Sequence, residues 1–513
     1  MTGVLVSLLV SQGPFARAYG GGDLDRACSV IRTSDGGVAV AGTTWSFDAG
    51  WGDLLVIKLN PSGNPDWART YGGTDGDEAS CMIQTQDGGF AMAGWTWSFG
   101  SGNTDLLVIR TDASGSPLWT RVLGGTGHDR AYSVIQTSDA GFAVAGMTHS
   151  FGYGWSDVLV IKMDSSGAVE WAMTFGGTDG DEAQSIIQTS DGGFVVAGLS
   201  SSFSTYYNND FFVLRLTSSG DLLWSMAIGG DGDDRAFSVA QAQDGGYLAA
   251  GETYSFGSGA GDFFVVKLSP SGSVSWAKAI GGTEPECAYS MIRSADGGYA
   301  LAGNTVSVPG NDVLIAKITP SGSLEWARRF DQGGAEFAYS VTQTVDSGYA
   351  IAGETPSFGA GTYDFLVLKV DKDGGFPDCV ADWTPAVVDA SPTTQPPYML
   401  ESCSPGVVSP VLTTGTPSPT VTDVCPVAVE ENGLSGPRNA ITCSPIRGGA
   451  LFLSSLEAGI TIYSVDGRVA YSGQLEKGEN RISLDRGVYL WIADCGGAGA
   501  PAYPVNSGKV AVR

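Results

Sequence analysis

Short acidic loops recur along this chain, and their spacing could do metal chemistry: Asp75-Gly-Asp77-Glu78, Asp179-Gly-Asp181-Glu182 and Asp231-Gly-Asp233-Asp234. Alternating carboxylates around a glycine offer the hard oxygens that calcium takes. Asp75, Asp77, Asp179, Asp181, Asp231 and Asp233 are therefore candidate calcium ligands, and calcium is the one cofactor the sequence suggests. The loops lack the glutamate at position twelve of an EF-hand, and they return in most repeats. Capping of backbone amides in tight loops is thus the competing account. The two histidines, His128 and His149, have no neighbouring cysteine and no serine in a nucleophile motif, so no catalytic constellation emerges and the chain reads as non-enzymatic.

A second set of residues could bind rather than react. Trp45-Ser-Phe47, Trp97-Ser-Phe99, His149-Ser-Phe151 and Tyr254-Ser-Phe256 place a variable aromatic before a repeated Ser-Phe pair. The repeated phenylalanine reads as a structural plug. The variable position, Trp45, Trp97, His149 and Tyr254, together with Trp51 and Trp155, could present ring faces to a sugar or a protein. A third set alternates in sign: Arg26, Glu78, Arg130, Glu182 and Arg235, followed by Cys287 and Phe337. This order predicts Arg–Glu pairs between successive repeats.

The elements that must position these residues follow from one stretch, Gln188-Thr-Ser-Asp-Gly-Gly-Phe-Val-Val-Ala-Gly198. Its final glycine recurs as Gly42, Gly94, Gly146, Gly198, Gly251, Gly303 and Gly353, at intervals of 52, 52, 52, 53, 52 and 50 residues. Such a period suits one four-stranded blade of a propeller. Each unit has four apolar runs, for example Ala183–Gln188, Phe194–Gly198, Asp210–Leu216 and Leu222–Ile228. Asp-Gly-Gly and Ser-Gly turns join them in pairs. The fourth run carries Trp67, Trp119, Trp171, Trp224, Trp276 and Trp326, and a seventh member stands ahead of the first unit at Phe15-Ala-Arg-Ala-Tyr19. The last unit stops after its third run. The N-terminal segment therefore closes it, giving an all-β, seven-bladed propeller of 28 strands over residues 13–375 with no open edge. Loops between second and third runs must leave the same face as loops between units, so the aromatic and acidic loops share a face.

Residues 376–437 hold 11 of the 23 prolines with many Ser and Thr, and read as a linker or strap. From 438 to 513, short alternating runs separated by Asp466-Gly467, Lys477-Gly478 and Arg486-Gly487 turns indicate a small β-sandwich. Five of the eight cysteines (Cys379, Cys403, Cys425, Cys443, Cys495) lie outside the repeats without metal-site spacing, which favours disulfides in an oxidising compartment. A Cys443–Cys495 bridge is expected, and if Cys379 pairs with Cys425 the partner of Cys403 is unassigned. A net charge of −27 argues against nucleic acid and anionic membranes. The chain has no apolar run long enough for a spanning helix. Residues 1–12 have the apolar core of a truncated secretory signal.

The repeats resemble secreted bacterial propeller repeats of the delta-60-like type and, more distantly, kelch repeats, which also carry a Gly-Gly and a later Trp. The segment Ile460-Thr-Ile-Tyr-Ser-Val-Asp-Gly-Arg-Val-Ala-Tyr471, with Gly487-Val-Tyr-Leu490 and the final Lys509-Val-Ala-Val-Arg513, looks like the sorting domain of the type IX secretion system. It departs from that pattern at Cys495 and the insertion 496–504. The resemblance implies export across the outer membrane through residues 438–513 and delivery to the cell surface or medium. The expectation is a surface binding module for a glycan or protein, with a glycan hydrolase or lyase on the same face as the alternative.

Overall fold

The computed structural model describes residues 14–375 apart from short loop segments (48–50, 101–102, 153, 205–207, 258–259, 283, 307–309, 331–333 and 358–361), and beyond them strand backbones between 425 and 512. Residues 14–375 form seven four-stranded antiparallel sheets. Numbered along the chain, blade 1 covers residues 25–71, blade 2 77–123, blade 3 129–175, blade 4 181–228, blade 5 234–280 and blade 6 286–330. Blade 7 is built from Phe337–Gln343, Tyr349–Thr355 and Asp364–Val370, and its outer strand is Phe15–Tyr19. Phe15 lies opposite Lys369 and Tyr19 opposite Phe365, so the two chain ends close the ring as the repeat count requires. First strands of successive blades contact one another all the way round and form the innermost layer.

The second and third strands are covered on both faces by neighbouring blades, which is why their sequences are continuously apolar. Every residue of Asp210–Leu216 is buried. One interface packs Val158, Phe175, Ile186, Phe194 and Phe212 from blades 3 and 4 into a single cluster.

Three repeated contacts fix each blade to its neighbour or lock its turns. Inside, a first-strand serine accepts the amide of the next blade: Met82 N donates to Ser29 Oγ (3.1 Å), Met291 N to Ser238 Oγ (3.1 Å) and Val30 N to Ser340 Oγ (3.0 Å), the last closing the ring. Cys81 stands at the equivalent place in blade 2, and its Sγ faces Val134 O at 3.9 Å. Outside, each fourth-strand tryptophan lies on a positive-φ glycine of the next blade's Ser-Gly turn. Thus Trp119 covers Gly167, Trp171 covers Gly220 and Trp224 covers Gly272. A side chain there would collide with the indole. Phe15 covers Gly63 in the same way, so the N-terminal strand supplies the seventh aromatic.

The third contact was not anticipated from sequence. The aspartate of every Asp-Gly-Gly-type turn accepts an ion pair from a buried third-strand cation: Lys58–Asp35 (2.8 Å), Arg110–Asp87 (2.5 Å), Lys162–Asp139 (2.9 Å), Arg215–Asp191 (2.5 Å), Lys267–Asp244 (2.5 Å), Lys317–Asp296 (2.7 Å) and Lys369–Asp346 (2.8 Å). These turns make one flat face of the ring.

Beyond the propeller, Cys425–Pro426 pairs parallel with Leu222–Ile228. Ile441–Ile446, Gly449–Ser454 and Gly478–Ser483 form one antiparallel sheet. Val469–Leu475, Ala458–Ser464, Gly487–Asp494 and Asn506–Val512 form another. The expected cysteine bridges fall on side chains outside the described residues, as does the linker. Within the propeller Cys28, Cys81 and Cys287 are free.

Candidate functional site

The opposite face carries the longer loops, and their frame is set by carboxylates. The residue that opens each first strand is buried: Asp25, Asp77, Asp129, Asp181 and Asp234, with Glu286 and Glu336 in the last two blades. Its carboxylate accepts the amide of the second glycine of the preceding Gly-Gly, as in Gly73 N to Asp77 Oδ2 and Gly177 N to Asp181 Oδ2, both 2.7 Å. It also accepts the hydroxyl of the repeated Ser-Phe pair, as in Ser98 to Asp77 (2.7 Å) and Ser202 to Asp181 (2.6 Å). The first glycine of the pair is needed because two carboxylates meet over it. A Cβ at Gly229 would overlap Asp210 Oδ1 and stand 2.6 Å from Asp234 Oδ2. Burial, with Asp234 and Asp233 nearby, pushes Asp210 up to about 7; burial likewise takes Asp181 up to about 6 against the pull of its hydroxyl and amide donors.

On this common frame the residue before Ser-Phe decides whether the gap between adjacent blades is filled. In blade 2 Trp97 lies against Gly76, and in blade 5 Tyr254 lies beside Gly232 and Gly261. In blade 4 the equivalent residue is Ser201, whose hydroxyl merely closes on Gly180, donating to its carbonyl (2.9 Å) and accepting from its amide (3.0 Å). The missing ring leaves a cavity of about 630 Å³ at the junction of blades 3 and 4, floored by Met147 and Ser156. That volume suits a small ligand. Trp155, 82% exposed, stands at its edge.

Both histidines of the chain line this cavity. Their rings meet edge to face at 5.7 Å between centroids, and Thr104 Oγ1 lies 3.0 Å from His128 Nδ1. Burial, then His128 and Arg130, keep His149 below the ordinary imidazole range despite Asp129. Arg130 is stacked on the Trp95 ring at 4.9 Å. Its buried Nε has no acceptor among the described residues. Asp179 and Glu182 line the same cavity. Burial raises Glu182 against the opposing pull of Arg130 and Arg235, and burial pushes the Tyr132 hydroxyl up to about 12. The cavity thus combines an aromatic face, cationic and neutral donors, and carboxylate acceptors.

Of the sequence candidates, the structure brings together His149, Trp155 and Asp179. The others lie elsewhere on the face. Trp45 packs over Gly52 in blade 1, Trp51 is 75% exposed at the blade 1 to 2 junction, and Trp97 and Tyr254 fill their own gaps. Sequence reasoning gave His128 no role and missed Ser201. The available signal was the one unit that reads Ser-Ser-Ser-Phe where its neighbours put a ring.

Two readings are refined. The acidic loops engage their carboxylates within the fold: Asp77 and Asp181 are buried caps, and Asp233 Oδ1 accepts from Asn209 N (2.9 Å) while its Oδ2 pairs with Arg235 (3.3 Å). Asp75 and Asp231 remain exposed in separate blades. Among the described residues no group of three His, Cys, Asp or Glu is placed to hold a metal. The predicted inter-blade Arg–Glu pairs also re-sort. Glu78 and Glu182 feel the arginines on both sides, but the contact pairs are Arg26–Glu354 (3.9 Å) and Arg235–Glu252 (3.3 Å). The guanidiniums turn onto rings instead, Arg26 over Tyr339 and Arg130 over Trp95.

A β-propeller domain of unknown function, DUF5122, matches residues 242–274, which span the second and third strands of blade 5 and their turns. The regulatory protein FlaEY of Caulobacter vibrioides is 29% identical over 220 residues, covering 39% of this chain; the chain spans about a fifth (22%) of that relative's length. Among solved structures, the extracellular domain of a putative one-component system from B. thetaiotaomicron is similar with a TM-score of 0.43 at 12% identity, over 98% of this chain and 59% of the other. The extracellular domain of a putative hybrid two-component system from the same organism gives 0.39 at 12% identity, over 97% and 57%. The chain is a β-propeller protein, one stretch of which is similar to the DUF5122 propeller domain.

Proposed function

We propose that this chain is a secreted or surface-delivered, non-enzymatic binding propeller whose ligand is a glycan held at the blade 3 to 4 junction. The observation that carries the reading is the cavity opened by Ser201, where an exposed indole faces hydrogen-bonding donors and acceptors. A pyranose needs this combination, with a ring face for its C–H side and paired polar groups for its hydroxyls. A glycan array probed with the wild-type protein and with Trp155→Ala tests it. Specific binding lost in the variant supports the reading, and capture of proteins but no glycans replaces it with a protein-binding one. Release of shortened or unsaturated product would instead favour the hydrolase or lyase, with Glu182 and Asp179 as its carboxylates.

Residues 438–513 are proposed as the export signal, on the resemblance of their turns and strands to a type IX sorting domain. Deleting them in a bacterium with that system is expected to leave a folded propeller in the periplasm, and unchanged surface display would remove the proposal.

A further inference from the structure

Resting on the glycan reading of the same cavity, we infer that its ligand is an anionic saccharide, with the carboxylate or sulfate ester bound on the wall formed by Arg130, His128 and His149. The chain has 54 acidic against 27 basic residues and only two histidines, yet both histidines and the first-strand Arg130 line this cavity. Arg26 and Arg235 each hold a carboxylate within ion-pair distance. Arg130 holds none among the described residues, and its Nε is buried without an acceptor. Stacking on Trp95 fixes the plane of the guanidinium, so its fork is pre-organised for a planar or tetrahedral anion. His128 is oriented by Thr104 and adds a second donor beside it. Glu182 and Asp179, on the blade 4 side of the cavity, can accept hydroxyls and would repel an anion, which orients an acidic sugar toward Arg130.

The test uses oligosaccharides of matched length from three polymers of galactose-type units: polygalacturonate (carboxylate), carrageenan (sulfate ester) and galactan (neutral). Titration calorimetry of the full chain is expected to show binding of one or both anionic probes at least tenfold tighter than galactan, weakening as salt rises. The arm that binds identifies the anion. Arg130→Gln is expected to abolish that preference, and Arg130→Lys to retain part of it, with melting temperatures confirming that both fold. Galactan bound as tightly as the anionic probes, and lost in Ser201→Trp but not in Arg130→Gln, would overturn the anionic assignment and leave the glycan site standing. Binding of none of the three, nor of any glycan on the array, would overturn both.

Discussion

Asp139 on the turn face and Asp181 on the loop face are both sevenfold-repeated acidic positions of one ring, and their environments differ in sign. Asp139 is exposed, and its hydrogen bonds to Thr137 and Lys162 outweigh its partial burial and hold it at about 2. Its six counterparts, Asp35, Asp87, Asp191, Asp244, Asp296 and Asp346, are all lowered by the same kind of contact. Asp181 is buried and pushed up to about 6, and Asp25, Asp77, Asp234 and Glu286 are raised for the same reason. The turn face stabilises charge with cations. The loop face keeps its carboxylates out of water to shape loops, at a cost in stability, and there the ringless blade 3 to 4 junction opens a cavity. A rigid clamp on one side thus lets the other side vary.

Breaking the clamp is expected to have the largest effect. Asp191→Ala strands the buried Arg215 guanidinium, and a loss of about 3 kcal/mol in urea-denaturation stability is expected. A loss under about 0.5 kcal/mol would place the pair among ordinary surface ion pairs. Phe15→Ala removes the seventh aromatic from the outer belt, where partial burial limits the loss to about 2 kcal/mol, read in the same assay. Ring closure elsewhere would leave this variant as stable as the parent.

The pH profile sharpens the comparison between faces. A lowered carboxyl contributes stability that is present above the unfolded value of about 4 and is lost as pH falls toward about 2. A raised carboxyl does the opposite: its charged form opposes folding, so stability rises as pH falls through about 7 and about 6. Melting temperature is therefore expected to climb from pH 8 to about 5 and to drop below about 4. Asp210→Asn should flatten the upper limb, adding on the order of 1 to 3 kcal/mol at pH 8, less at pH 5 and nothing below about 4. A profile flat from pH 8 to 5 in the parent would show that the loop-face carboxylates are not held in this way. The smallest effect belongs to the inner belt, where Cys81→Ser completes the ring of hydroxyls. A gain of less than about 1 kcal/mol is expected, and a loss would mean that the thiol is preferred for its fit.

The architecture was legible because each blade repeats its punctuation. Gly42 and its six counterparts fixed the period, and Phe15 could be matched to Trp67 because both must cover a turn glycine of a neighbouring blade. The Lys–Asp clamp was hidden: Lys162 lies inside an apolar strand and its partner Asp139 inside a turn, 23 residues back, and only the hairpin between them brings them together. The site was half legible. His149, Trp155 and Asp179 could be picked by type, whereas Ser201 matters through what it lacks, and Arg130 through a neighbouring carboxylate that fails to reach it. An aromatic-seeking reading favoured Trp45 and Trp97, which serve as covers in their own blades.

The most direct test of the account is to close the gap. Ser201→Trp installs at the blade 3 to 4 junction the ring that Trp97 already supplies at the blade 1 to 2 junction, on the same backbone frame. Calorimetric titration with the best glycan from the array, beside a melting curve, is expected to show binding lost and the melting temperature unchanged within a few degrees. Undiminished binding by a folded Ser201→Trp protein would contradict the assignment of this cavity as the ligand site.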